Sequence, residues 1–153
     1  MKKYITQTEF SKSLLKLLQQ IEKSKCEFDY VLGIKKGGLN VSVPLADYFN
    51  KPHLGIQISF YDGDQKLTEP IVETDRLDII RNKMHGKCLW VDDIIDSGDT
   101  LKWFMDNTGL QIDKDFIVAS LHWCEESSPR YRPHFFVERK NKADWIVYPW
   151  EVQ

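Results

Sequence analysis

No stretch of this sequence approaches the ~18 consecutive apolar residues of a membrane-spanning helix, so no membrane partner is expected. Its opening, "MKKYITQTEF", carries lysines with no apolar run behind them, so no secretory leader is expected either. Basic excess is also missing. The 21 Lys plus Arg stand against 23 Asp plus Glu, a net charge of −2, which provides no general field to hold a long nucleic acid by counterion release. Any phosphate site must therefore be local, and nucleic acid is not read as the main partner. Cysteine is scarce: Cys26, Cys88 and Cys124 are an odd number without metal-type spacing. They point to reduced, buried thiols in a cytoplasm rather than a disulfide framework. His53, His85, His122 and His134 likewise lack ligand spacing. Internal repeats, low-complexity tracts and Pro/Ser-rich linkers are absent, so residues 1–153 are read as one domain.

What is present is an alternation of helical and strand-like segments. "TEFSKSLLKLLQQIEKS" places Phe10, Leu14, Leu17, Leu18 and Ile21 at helical spacing behind a threonine cap. "DYVLGI" (residues 29–34) reads as a strand, "KKGGLN" as a glycine loop, and "VPLADYF" as a helix with Pro44 in its first turn. "HLGIQISFY" is a second strand, "DGDQ" a turn and "KLTEPIVET" an extended return. "CLWV" and "FIVASLHW" are buried strands on either side of an acidic loop and the helix "TLKWFMDNTG", which Gly109 stops. "HFFVE" and "DWIVYPW" are short extended pieces. Strands alternating with helices predict an α/β fold around a mainly parallel, twisted sheet flanked by helices.

The chemistry concentrates in "CLWVDDIIDSGDTL", where Asp92, Asp93, Asp96 and Asp99 fall within eight residues of each other. Crowded carboxylates raise the energy of the free protein unless a cation or polyhydroxyl ligand sits among them. The loop follows a strand, and in open α/β sheets ligands gather beyond the carboxyl ends of strands. Gly98 permits a tight turn, and the run Asp96 to Thr100, with Ser97 and the Thr100 hydroxyl, leads into a helix N-terminus suited to a phosphate. Asp92 and Asp93, adjacent in an extended strand end, are expected to point to opposite sides. "GIKKGGLN" lacks the Gly-Lys-Ser/Thr ending of a P-loop, and no G-x-G-x-x-G occurs.

"LWVDDIIDSGDTL" closely resembles the phosphoribosyl pyrophosphate (PRPP) motif of type I phosphoribosyltransferases. "GIKKGGLNVSVPLA", "ISFYDGDQ" and "ADWIVYPWE" are similar to the pyrophosphate loop, the mobile-loop start and the base-binding end of the bacterial xanthine-guanine and hypoxanthine branch. The resemblance implies the type I phosphoribosyltransferase fold with a small hood built from terminal segments. It implies a purine-salvage enzyme that moves phosphoribose from PRPP to a 6-oxopurine (hypoxanthine, guanine or xanthine), with release of pyrophosphate. It also implies Mg²⁺ as cofactor and a homo-oligomer, dimer or tetramer. By position, Asp92 and Asp93 would hold the ribose hydroxyls, directly or through Mg²⁺, and Asp96 would stand near the base N7 as the catalytic carboxylate. Asp96, Ser97, Gly98, Asp99 and Thr100 would cradle the 5′-phosphate; Lys36, Gly37 and Gly38 would meet pyrophosphate, with a cis peptide between Lys35 and Lys36. Trp145 would stack on the base, the Ile146 backbone would read its edge, and Glu151 would approach the metal through water.

The sequence departs from that pattern in two places. Oxopurine enzymes of the family put a Lys after the strand equivalent to "FIVASLHW"; here Cys124 or Glu126 takes that position, and Arg130 or Arg132 is the nearest substitute. Phe60 stands where they usually have Ser. Read without the resemblance, Trp145 beside Ile146 and Val147 belongs to the core, and "RYRPHFFVERKNK" is a solvated face near an oligomer contact. Two rival functions follow: the same chemistry on another nucleobase, or a regulatory protein that senses PRPP or a nucleotide without turnover.

Overall fold

Strands that are apolar on both faces need helices on both sides, and the chain supplies two to each side. The computed structural model describes residues 1–82 and 84–151. Its central strands are β2 (Tyr30–Lys35), β3 (His53–Asp62), β5 (Cys88–Val91) and β7 (Phe116–Trp123). β5 and β7 are buried at every position, as expected of strands covered on both faces. β2 pairs in parallel with β3 and β5, and β5 with β7. The edge strand β4 (Gln65–Val72) returns antiparallel to β3, and its edge position tolerates Pro70. β8 (Phe135–Arg139) extends the sheet beyond β7.

Side chains alternate between two cores. Leu32, Ile34, Cys88, Trp90 and Val118 meet Leu77 and Ile80 of α3 (Thr74–Asn82) and Leu101 and Phe104 of α4 (Asp99–Thr108). Val31, Leu89, Val91 and Ala119 meet Phe10, Leu17 and Ile21 of α1 (Gln7–Ser24) and Val41 and Leu45 of α2 (Leu39–Phe49). Thr6 caps α1, its side chain accepting the Glu9 N–H at 3.1 Å. Gly109 stops α4 at φ 76°.

Three sequence expectations change. Pro44 lies inside α2 rather than in its first turn, because the helix already starts at Leu39 beyond the glycine loop. α3 forms where no helix is expected, held by the buried Leu77 and Ile80 in a mostly polar stretch. The acidic loop contains a short strand, β6 (Ile94–Ile95), which resumes pairing with β7. The hood is a two-stranded parallel sheet of β1 (Lys2–Tyr4) and β9 (Trp145–Val147), tied further by the Lys3–Asp144 ion pair at 3.0 Å.

Candidate functional site

The sheet order places β3 on one side of β2 and β5 on the other. The loops after β2 and β5 therefore flank a topological switch point, where α/β sheets open a crevice. A cavity of 570 Å³ lies there. Lys36, Gly37, Asp92, Asp93, Asp96, Ser97, Gly98, Asp99, Thr100, Trp145, Ile146 and Glu151 all line it. Gly38 does not; it sits beneath as the N-cap of α2, donating its N–H to Ile34 O at 2.9 Å.

Asp92 and Asp93 occupy the kink between β5 and β6. The Asp93 carbonyl accepts the Leu121 and His122 N–H groups at 3.0 and 3.2 Å and the Tyr148 hydroxyl at 3.1 Å, which pins the kink. The Asp93 N–H donates to Asp92 Oδ1 at 2.8 Å. The two carboxyls do not point to opposite sides: strand alternation ends at the kink, Asp92 Oδ1 accepts the Asp93 N–H, Asp93 Oδ1 accepts the Ile94 N–H at 2.9 Å, and the two buried groups feel each other's charge. Burial, reinforced by the Asp93 charge, pushes Asp92 well above the ordinary carboxylate range. Burial raises Asp93 too, while its close neighbour Asp92 and the Ile94 N–H oppose that rise. A cation between them would relieve both effects.

The next turn is built for an anion. Gly98 adopts φ +81° at the N-cap of α4 and offers no side chain; Ser97 Oγ accepts the Asp99 N–H at 3.3 Å, and the next N–H groups of the helix, at Thr100 and Leu101, are left for a ligand. Asp99 is tied to Lys66 of β4 at 2.9 Å, and this contact holds the Asp99 carboxyl below its usual range. In the loop after β2, which also lines the cavity, the Lys35–Lys36 peptide is cis. Lys35, Lys36 and Gly37 all line the cavity, and the Lys35 ammonium is paired with Glu73 at 3.0 Å.

Trp145 is not a core residue: half its surface is exposed, and its ring meets Tyr61 of β3 edge to face with centroids 6.3 Å apart. Its neighbours in β9 pair with the terminal strand rather than entering the main sheet, which leaves the indole over the cavity. Glu151 lies in a one-turn 3₁₀ segment (Pro149–Glu151) and accepts the Tyr148 N–H at 2.8 Å. Burial, with the Asp93 charge adding to it, raises the Glu151 carboxyl.

Residues 3–153 match the phosphoribosyl transferase domain. The chain belongs to that family. Among solved structures, this phosphoribosyltransferase-family chain is similar to a purine phosphoribosyltransferase from Pyrococcus horikoshii. The TM-score is 0.74 at 25% identity, covering 99% of this chain and 95% of that one. It is similar at the same identity and coverage, with TM-score 0.71, to the xanthine-guanine-hypoxanthine phosphoribosyltransferase of Helicobacter pylori. A hypothetical protein from Neisseria gonorrhoeae with bound ppGpp shares the fold at 22% identity and TM-score 0.73, covering 99% of this chain and 91% of that chain. No curated protein matches the chain. No helix among the described residues is long and apolar enough to cross a membrane.

In this phosphoribosyltransferase-family site the positions considered for a missing lysine are otherwise engaged. Cys124 is buried with its Sγ directed to Ser127 Oγ at 3.3 Å, and the exposed Glu126 accepts the Lys142 N–H at 3.0 Å. Arg132 lies over the Trp123 and Phe136 rings at 5.8 and 5.5 Å. The segment 130–142 is not simply a solvated face. Lys140, within it, has a side chain only 4% exposed, lines the cavity and reaches Asp96 Oδ2 at 3.1 Å. Sequence reasoning passed over Lys140 and Lys66. The signal for Lys140 was positional: β8 ends at Arg139, so the next residue stands at the carboxyl end of the sheet.

Proposed function

We propose that this protein transfers phosphoribose from PRPP to a 6-oxopurine and releases pyrophosphate, with the whole chain acting as one domain. The observation that carries the reading is an acidic pair and a helix N-terminus without an N-cap side chain lining one cavity. That arrangement suits a ligand with hydroxyls at one end and a phosphate at the other.

The 5′-phosphate sits against Asp96 to Thr100, where backbone N–H groups and the α4 dipole favour negative charge. Asp92 and Asp93 hold the ribose hydroxyls. Lys36 and the Gly37 backbone meet the pyrophosphate, with Gly38 behind them as the N-cap of α2. As that group departs, positive charge develops on the sugar, and the carboxylates stabilise it as they do in glycoside hydrolysis. Trp145 offers the base an aromatic face, a contact worth ~1–3 kcal/mol and tolerant of base identity. Ile146 supplies backbone groups at the base edge, and Asp96 stands near N7 to accept a proton or stabilise charge.

Magnesium fits this donor set. It takes one or two carboxylates and completes its shell with water and substrate oxygens. Asp92 and Asp93 supply the carboxylates, with Glu151 approaching through water. When bound, the ion would neutralise phosphate charge.

The rival reading is a nucleotide sensor, supported by the Neisseria gonorrhoeae neighbour that holds ppGpp on this fold. The presence of Asp96 and Lys36 in the cavity favours catalysis, since a sensor needs phosphate contacts but no group at the reacting base. An Asp96→Asn variant is expected to bind PRPP with Mg²⁺ as the native protein does while turnover drops at least ~100-fold. Unchanged turnover would remove Asp96 from this role.

A further inference from the structure

We infer that Lys140 is the residue that selects an oxo over an amino group on the base. It does so from the position just after β8 rather than from the loop after β7; the inference rests on the reading above. β7 and β8 run parallel with Trp123 opposite Arg139, and the Lys140 N–H donates to Trp123 O at 2.8 Å. That bond carries the ladder one step past β8. Lys140 therefore stands beside Cys124 at the same height in the sheet, one strand over from where the sequence lacks a cation.

An ammonium has three donors and no acceptor. The described residues give the Lys140 ammonium one partner, Asp96 Oδ2 at 3.1 Å, although the side chain is only 4% exposed. A buried cation with donors unused is costly, so a ligand acceptor is the natural completion. Position argues that the acceptor belongs to the base. Lys140 shares its cavity with Trp145 and Ile146, and its own chain leads directly into β9, which carries both. The phosphate cradle, by contrast, is served by the N-terminus of α4 and by Lys66.

A guanine or hypoxanthine edge presents O6 and N7, both acceptors; adenine presents an N6 amino donor beside N7. An ammonium complements the first and opposes the second. Lys142, exposed on the cavity rim, has no comparable enclosure.

The test is calorimetric binding of IMP, GMP and AMP, which needs no turnover and holds the phosphate constant. The native protein is expected to bind IMP and GMP at least ~10-fold more tightly than AMP. Lys140→Met keeps the aliphatic stem and removes the donors. It is expected to weaken IMP and GMP by about 10- to 100-fold, with AMP unchanged within about twofold. Lys140→Gln offers a donor and an acceptor and gives Asp96 a partner. It should narrow the preference in the same direction, and it decides the question if the Met variant does not fold. Equal losses for all three nucleotides would make Lys140 a phosphate or Asp96-positioning residue and overturn the inference. Tight AMP binding by the native protein would overturn it alone. No binding of any of the three would overturn it together with the proposed function.

Discussion

Adjacent glycines at 37 and 38 should separate scaffold from site when each receives a single methyl group. A Cβ at Gly38 would meet Ile34 O at 2.4 Å, Val91 O at 2.9 Å and Ile34 N at 3.0 Å. These are backbone atoms of β2 and β5, the two strands at the switch point, and neither can move without breaking ladder bonds. Gly38 has φ −61° and ψ −24°, which alanine adopts freely, so backbone preference alone would make the change stabilising. Any loss must come from the clash, and overpacking of this kind costs ~1–3 kcal/mol or more. At about 2–4 °C per kcal/mol for a chain of this size, Gly38→Ala should lower Tm by roughly 2–12 °C. A Cβ at Gly37 would instead meet Asp93 Oδ2 at 2.1 Å and Cγ at 2.8 Å. A side chain can rotate away, so Gly37→Ala should melt within about 2 °C of the native protein. It would do so by displacing one carboxyl of the acidic pair, and affinity for PRPP with Mg²⁺ should fall at least ~10-fold. Thermal melts and calorimetric titration with PRPP and Mg²⁺ read both effects. A Gly37→Ala variant that melts as low as Gly38→Ala yet binds PRPP normally would refute the reasoning.

Tyr148 joins the buried His122 Nδ1 at 2.7 Å to the Asp93 carbonyl. Tyr148→Phe leaves buried groups unpaired and should cost ~1–3 kcal/mol, seen as a lower urea midpoint with unchanged m; an unchanged midpoint would show that the hydroxyl contributes nothing. The His122 imidazole is held below its ordinary 6.5 by burial, against a smaller opposing pull from Glu138. Between the folded and unfolded values the unfolded chain binds more protons, so this group withdraws stability as pH falls through about 6.5. The withdrawal is complete below the folded value. His53 acts in the same direction, whereas the raised carboxyls of Asp92 and Asp93 act oppositely. The contribution is isolated by His122→Gln, whose Tm should fall less steeply than the native one between pH 7 and 5.5; parallel slopes would contradict it.

Residues whose fate is decided locally were readable in the sequence. "CLWV" and "FIVASLHW" are apolar at nearly every position because helices cover both faces, and they form β5 and β7. The acidic loop was legible as a string, since its glycine, hydroxyls and carboxylates fall in an order that suits a phosphate and a cation. Its geometry was not. Strand alternation ends at Asp92 and Asp93 because three donors pin the Asp93 carbonyl, and those donors come from β7 and residue 148. Tertiary pairing also misled local pattern at Trp145, which lies in a strand-like triplet but pairs with β1 and leaves its ring exposed. Lys140 reads as one more charge in a basic run; only the register of β8 on β7 places it beside Cys124 and inside the cavity. α3 was passed over because Leu77 and Ile80 alone carry its buried face.

The central claim is tested most directly by pyrophosphate release from PRPP and Mg²⁺ with hypoxanthine, guanine, xanthine, adenine and uracil supplied one at a time. Release with at least one oxopurine, and none with adenine or uracil, is the predicted result. Silence with all five bases while PRPP still binds would contradict it and leave a sensor built on the same fold.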